Sequence, residues 1–181
     1  MTEAFWLPDS VHFVDSVALD GVAEVLRVCG TMLGRRLKRI PDGEPGGRRL
    51  WTSWQYPLLR ARLYLAVNPE QPSVPTGFYL RLADGVMPEE VGFGELGYAR
   101  EARASYQDFL KARNSGEIAP ATRLQVALPT WLAVIGAFCR GPDTPAIERA
   151  YELAMVREVA AIADGIPHDD LAFSWMCASK W

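Results

Sequence analysis

Short strand-like runs recur along this chain, and each of the first three is followed by polar residues and then by a stretch of helical periodicity. The four runs lie at 11–14, 37–40, 124–128 and 171–175. Strands that alternate with amphipathic helices are typical of a parallel sheet whose strands are joined by helical crossovers. The pattern therefore predicts an α/β fold with four parallel strands.

The helices are marked by apolar residues at three- and four-residue spacing. Asp20 is the expected cap of the first helix, and a second helix is expected over 48–55, which Pro57 should end or kink. The three longer helical stretches cover 22–33, 98–116 and 144–164. Their apolar stripes are expected to cover the sheet.

Residues 68–97 interrupt this alternation. They hold scattered prolines and glycines and a single strand-like run at 78–82. Long irregular segments of this kind are more often functional than accidental. We interpret 68–97 as an irregular insertion between barrel units, within one domain that spans residues 1–181.

Four strands with intervening helices correspond to half of a (β/α)8 TIM-type barrel. A complete barrel needs eight strands and about 250 residues, so the 181 residues here cannot close one alone. The free edges of a half-barrel recruit another chain. We therefore expect a homodimer or a second half-barrel chain as partner, and we expect the chemistry at the carboxyl ends of the strands.

Composition narrows the class of protein. Hydrophobic residues make up 49% of the chain, charged residues 23%, and the net charge is −3. These values are close to those of average globular domains, so neither nucleic-acid binding nor a disordered tail is expected. Three widely spaced cysteines and the lack of a long apolar run predict a cytoplasmic protein without a membrane span.

The segment 41–49 is the strongest candidate for a site. Asp42, Glu44 and Arg48 bracket three glycines directly after a predicted strand. Glycines allow a ligand to approach the backbone, while Glu44 can bind an ammonium group and Arg48 a carboxylate of a small-molecule substrate. The alternative is a glycine-rich turn whose charges face water.

Two further junctions carry weaker candidates. Ser16, which follows Asp15 after the first run, and Thr130 after the third are either ligand contacts or ordinary turn and capping residues. The two histidines, His12 and His168, lack the ligand spacing of a zinc site. No metal is therefore expected in this chain.

Four segments, 11–19, 40–55, 123–133 and 166–175, together resemble a known superfamily, the one that unites cobalamin-independent methionine synthase with uroporphyrinogen decarboxylase. The match is quoted on 39–51 (RIPDGEPGGRRLW), 125–130 (QVALPT) and 166–172 (IPHDDLA). The resemblance covers most of this chain and corresponds to the N-terminal half of the family's barrel. It implies that Gly43-Glu44 contacts an amino-acid or carboxylate substrate, in an enzyme that moves a methyl group from a folate to a thiol held on zinc.

The zinc ligands of the synthase belong to the second half of that barrel, so zinc and folate are implied only for a complete family member. Relatives tend to have Gly-Ser where Asp15-Ser16 stands and Gln-Trp-Asp where Ser174-Trp175-Met176 stands. Three functions remain open: a methyltransferase-like enzyme half, a metal-independent lyase or isomerase of the decarboxylase type that uses Arg48 and Arg49, and a non-catalytic binding or self-associating protein.

Overall fold

The computed structural model describes residues 9–14, 16–73 and 77–177, which form a mixed α/β structure. Its strands are β1 (Arg39–Pro41), β2 (Leu65–Ser73), β3 (Gly77–Leu82), β4 (Arg123–Pro129) and β5 (Leu171–Met176). Its α-helices are α1 (Val22–Leu33), α2 (Tyr56–Arg60), α3 (Tyr98–Asn114), α4 (Trp131–Phe138) and α5 (Thr144–Gly165). Short 3₁₀ helices cover Gly34–Arg36, Gly46–Gln55, Pro88–Glu90 and His168–Asp170.

A three-stranded parallel sheet in the order β1-β4-β5 forms the centre of the fold. Ile40 pairs with Leu124, and Leu124 pairs in turn with Leu171, so one apolar row crosses all three strands. All three of these residues are buried. The predicted strands at 37–40, 124–128 and 171–175 and their parallel arrangement are thereby confirmed, although the described residues form no closed barrel.

The predicted strand at 11–14 is wrong as a full strand. Only Val11 pairs, in an isolated parallel bridge with Leu37, and its N–H donates to the carbonyl of Arg36 at 2.9 Å. Two residues later, the carbonyl of Phe13 accepts a hydrogen bond from the Gln125 side chain instead of from a neighbouring strand. The segment therefore lies beside β1 but leaves the ladder after one pair.

The segment 68–97 begins with an ordered hairpin rather than with irregular chain. β2 and β3 are antiparallel, and their register shifts between Val67 and Pro72. A proline has no N–H to give a ladder, which explains a bulge at this place. The hairpin is tied to the rest of the fold through Leu80, whose carbonyl accepts the N–H of Arg140 at 2.9 Å.

The predictions about helix ends have different outcomes. The cap of α1 is Gly21 rather than Asp20, whose own N–H is bonded to the Glu24 side chain. The helix expected over 48–55 is the 3₁₀ helix Gly46–Gln55, which ends directly before α2. Pro57 lies in the first turn of α2, where a missing N–H costs nothing.

The core lies between the sheet and helices α1, α3 and α5, where α3 contacts both of the other two. Its largest fully buried side chains include Leu26, Ile40, Phe109, Leu124 and Tyr151. Across the described ranges, no helix combines the length and the apolar character that crossing a membrane requires.

Candidate functional site

Left-handed backbone shapes the loop after β1. Gly43 has φ 82°, and a Cβ on it would lie 2.6 Å from Val25 Cγ2, so only glycine fits there. Glu44 follows with φ 50° and is the one non-glycine residue with positive φ among the residues that the structure describes. This conformation costs a non-glycine residue about 1–2 kcal/mol, so the surrounding contacts must hold Glu44 in place.

Asp42 is the centre of these contacts. Its Oδ1 accepts the N–H of Glu44 at 3.0 Å, and its Oδ2 accepts the hydroxyl of Ser105 at 2.6 Å. The guanidinium of Arg48 lies 2.9 Å from the same Oδ2. A buried carboxylate with these donors fixes the loop against α3, which carries Ser105.

Glu44 is buried, and Ser16 reaches it from the segment before α1. The Ser16 hydroxyl donates to Glu44 Oε2 at 2.6 Å. Two of the predicted site residues, 28 positions apart, therefore lie together. Asp15, which was considered with Ser16, lies outside the described residues.

The adjacent arginines Arg48 and Arg49 point to different partners. Arg48 lies between two carboxylates, with Nε 3.6 Å from Glu101 Oε2 and its other contact on Asp42. Arg49 binds the carbonyl of Leu19 at 2.7 Å and the carboxylate of Asp20 at 2.8 Å. The two guanidinium groups therefore do not form one carboxylate-binding pair.

Asp42, Glu44 and Arg48 line one small cavity at the carboxyl ends of the strands. Its volume is about 20 Å³, which is enough for one water-sized group. The remaining lining residues are Trp54, Tyr98, Glu101, Ala102, Val126, Ala127 and Leu128. Among the described residues that line it, three carboxylates and one guanidinium give a formal excess of two negative charges.

An aromatic pair forms one wall of the cavity. The rings of Trp54 and Tyr98 meet edge to face, with centroids 4.9 Å apart. Burial raises the pKa of the Tyr98 hydroxyl well above its ordinary value, so this group stays protonated. The wall is therefore uncharged, and its polar groups are the Tyr98 hydroxyl and the Trp54 indole N–H.

Thr130 has a capping position. It precedes α4, and its Oγ1 accepts the N–H of Ala133 at 3.3 Å. It is not among the residues that line the cavity. The structure thus accounts for Thr130 as a helix cap, and its role as a ligand contact stays a prediction.

Sequence reasoning missed the residues that α3 brings to the site. Tyr98, Glu101, Ala102 and Ser105 recur at helical spacing and face the loop after β1. The available signal was Ser105, a polar residue inside an otherwise apolar helical stripe. Its partner Asp42 lies 63 positions away, a distance that local spacing does not reveal.

The described parts of the chain contain no group of three or more His, Cys, Asp or Glu residues placed to hold a metal ion. The site is therefore a set of carboxylates, one guanidinium and an aromatic wall. Compared with models of known families, with characterised proteins and with solved structures, the chain matches none of them.

Proposed function

We propose that this chain binds a small molecule through its protonated amine, in the cavity formed by Asp42, Glu44, Arg48 and Glu101. The observation that carries the proposal is that the described residues around a space of one-water size include three carboxylates and one guanidinium. An ammonium group has that size, carries a positive charge and can donate three hydrogen bonds to carboxylate oxygens. The rest of the ligand would extend from the carboxyl ends of the strands.

Charge distinguishes this ligand from a polycarboxylate. Two like charges 4 Å apart repel by about 4 kcal/mol at an effective dielectric constant of 20. A ligand carboxylate would meet that repulsion from Glu44 and Glu101, while the guanidinium of Arg48 is already shared by two carboxylates. An amine or an amino acid is therefore favoured over the polycarboxylate substrate of a decarboxylase-type lyase.

We further propose that the chain is the N-terminal half of a (β/α)8 barrel enzyme of the methyltransferase type. In support, Val11 pairs beside β1, and β4 and β5 follow in chain order on the other side. The chain's own contribution would be to hold and orient the amine end of the substrate. The described residues do not supply a zinc ligand set, so no step through a metal is assigned to them.

The remaining half would come from a second copy or another half-barrel chain. β5 is an edge strand, and Trp175 on it is 49% exposed. An unpaired strand edge with an exposed aromatic residue favours pairing with another strand. Sedimentation equilibrium at micromolar concentration tests this: we expect a dimer, and a single 20 kDa species would contradict self-association.

Isothermal titration with three matched probes tests the ligand. They are L-methionine, 3-(methylthio)propylamine, which keeps only the amine, and 4-(methylthio)butanoate, which keeps only the carboxylate. We expect the first two to bind and the third not to bind. Binding of the butanoate as strong as that of the amine, or binding of none of the three at millimolar concentration, would refute the proposal.

Two variants locate the binding. Glu44→Gln removes one charge at the cavity and should weaken binding of the amine by about tenfold, the effect of 1.4 kcal/mol. Glu89→Gln removes an equal charge from an exposed residue of the 3₁₀ helix Pro88–Glu90 and should leave the affinity unchanged. Equal losses in both variants would assign the effect to overall charge rather than to the cavity.

A further inference from the structure

Helix α5 provides none of the described residues that line the cavity, yet two of its side chains hold the cavity wall from behind. The first is Glu158, which is only 4% exposed. Its Oε1 accepts the N–H groups of Leu96 at 2.6 Å and Gly97 at 3.3 Å, and its Oε2 accepts that of Ala99 at 2.6 Å. These groups form the turn that leads into α3, so Glu158 fixes the start of that helix.

The second side chain is that of Tyr151, two turns earlier on α5. Its hydroxyl donates to Gln55 Oε1 at 2.9 Å, and Gln55 Nε2 donates to the carbonyl of Leu96 at 3.0 Å. Tyr151 and Gln55 are fully buried. Leu96 is therefore held on its N–H by Glu158 and on its carbonyl by Gln55.

Both held elements carry an aromatic residue of the cavity wall. Trp54 directly precedes Gln55, and Tyr98 lies two residues after Leu96. Between them, Gly97 has φ 96°, and a Cβ on it would lie 3.4 Å from the Trp54 ring. The edge-to-face contact of Trp54 with Tyr98 therefore depends on where the 96–99 turn is held.

We propose that Glu158 and Tyr151 are positioning residues for the cavity, and that they set the Trp54–Tyr98 wall against which a ligand lies. A carboxylate suits this place because its two oxygens accept from three converging N–H groups at the positive end of a helix. A glutamine would present an NH₂ group to at least one of those donors. The expected effect on ligand binding rests on the proposed function, whereas the expected effect on the position of the Trp54–Tyr98 wall does not.

Nuclear magnetic resonance of the tryptophan indole N–H groups tests the wall directly. The chain has six tryptophans, and Trp54→Phe identifies the Trp54 signal by its loss. We expect Glu158→Gln and Tyr151→Phe to move the Trp54 signal while the protein remains folded. Asp164→Asn, an exposed change on the same helix, is the matched control and should leave the signal in place.

Titration with 3-(methylthio)propylamine is the second readout. We expect about a fivefold loss of affinity in Glu158→Gln and in Tyr151→Phe, the value of one ordinary hydrogen bond. A lower melting temperature with an unmoved Trp54 signal and unchanged affinity would show that the two residues only stabilise the fold, and would overturn the inference.

The remaining outcomes are also decisive. If Glu158→Gln does not fold, Tyr151→Phe gives the answer by the same two readouts. If the wild-type protein binds neither the amine nor L-methionine, the proposed function fails. The Trp54 signal then decides the positioning role alone: a shift supports it, and an unmoved signal refutes it.

Discussion

Two aspartates at opposite ends of the sheet, one half-buried and one buried, differ in how their charges are balanced. At the amino end, the half-buried Asp170 precedes β5 and faces Arg113 through two parallel contacts, with Nη2 to Oδ2 at 2.8 Å. The Tyr106 hydroxyl adds a third donor at 2.6 Å. At the carboxyl end, the buried Asp42 shares Arg48 with a second carboxylate, and a third carboxylate lines the same cavity.

The difference separates a structural contact from a candidate binding site. The charge of Asp170 is neutralised by one bidentate guanidinium, and a hydroxyl adds a hydrogen bond. This cluster therefore ties α3 to the start of β5 and has no net charge to attract a ligand. Around the cavity, three carboxylates stand against one guanidinium among the described lining residues, and a cation would reduce this formal excess of negative charge. Substitutions in the charge-neutral Asp170 cluster should therefore lower the free energy of unfolding, whereas substitutions in the negatively charged cavity should weaken ligand binding.

The largest expected effect concerns the backbone that builds the candidate site. Gly43→Ala combines positive φ with a contact 2.6 Å from Val25 Cγ2, and we expect it to lower the free energy of unfolding by about 3 kcal/mol. Gly46→Ala, at φ 66° with open space around its Cβ, is the control and should cost about 1 kcal/mol. Urea denaturation measures both, and equal costs would mean that Val25 moves aside freely.

The second-largest expected loss of stability follows removal of the Arg113 charge at the amino end of the sheet. Arg113→Ala leaves the half-buried Asp170 carboxylate with the Tyr106 hydroxyl as its remaining side-chain donor in the part of the chain that the structure describes, and we expect a loss of about 2–3 kcal/mol in urea denaturation. Lys111→Ala on the same helix removes an exposed pair with Asp108 and should change stability by less than about 0.5 kcal/mol. If both variants are equally mild, the balanced cluster is not a stability centre.

Acid should remove the same contribution in wild-type protein. The hydrogen bond from Arg113, with a smaller one from Tyr106, holds the pKa of the Asp170 carboxyl below its ordinary value of 3.8, although burial opposes the shift. A carboxyl whose pKa is lower in the folded state contributes stability above its unfolded pKa and loses it as the pH falls through the folded value. The stability difference between wild type and Asp170→Asn should therefore be constant from pH 7 to 5 and shrink below about pH 4. A difference that persists unchanged at pH 3 would contradict this assignment.

Apart from the control variants, the smallest expected change in stability is that of Glu44→Gln. The variant weakens the bond from Ser16, but it also relieves repulsion among three carboxylates, so the free energy of unfolding should change by less than about 1 kcal/mol. Urea denaturation measures the change, and Arg113→Ala in the same assay is the reference. A loss as large as that of Arg113→Ala would make Glu44 a structural residue and remove the contrast between the two ends.

Local sequence patterns predicted the elements that depend on local chemistry. The strands predicted at 124–128 and 171–175 agree with β4 and β5. They could be predicted because buried parallel strands consist mostly of apolar residues. The first run failed because a single apolar stretch does not reveal that Phe13 gives its carbonyl to a side chain 112 positions away. Local patterns identified Asp42, Glu44 and Arg48 because these residues lie within one short segment. They did not identify Glu101, Ser105 and Glu158, which come from distant segments.

The parallel pairing of β1 with β4 also has a consequence for folding kinetics. The hairpin β2–β3 and the helix pair α4–α5 are built from contacts between segments near in sequence, whereas the Asp42–Ser105 bond joins residues 63 positions apart. A contact between residues far apart in sequence requires a long loop to close, and this lowers the chain entropy before the contact stabilises the fold. We therefore expect β1 and its following loop to dock late in folding. The cavity would then be complete only near the native state. A ligand held there should therefore slow unfolding and leave the folding rate nearly unchanged.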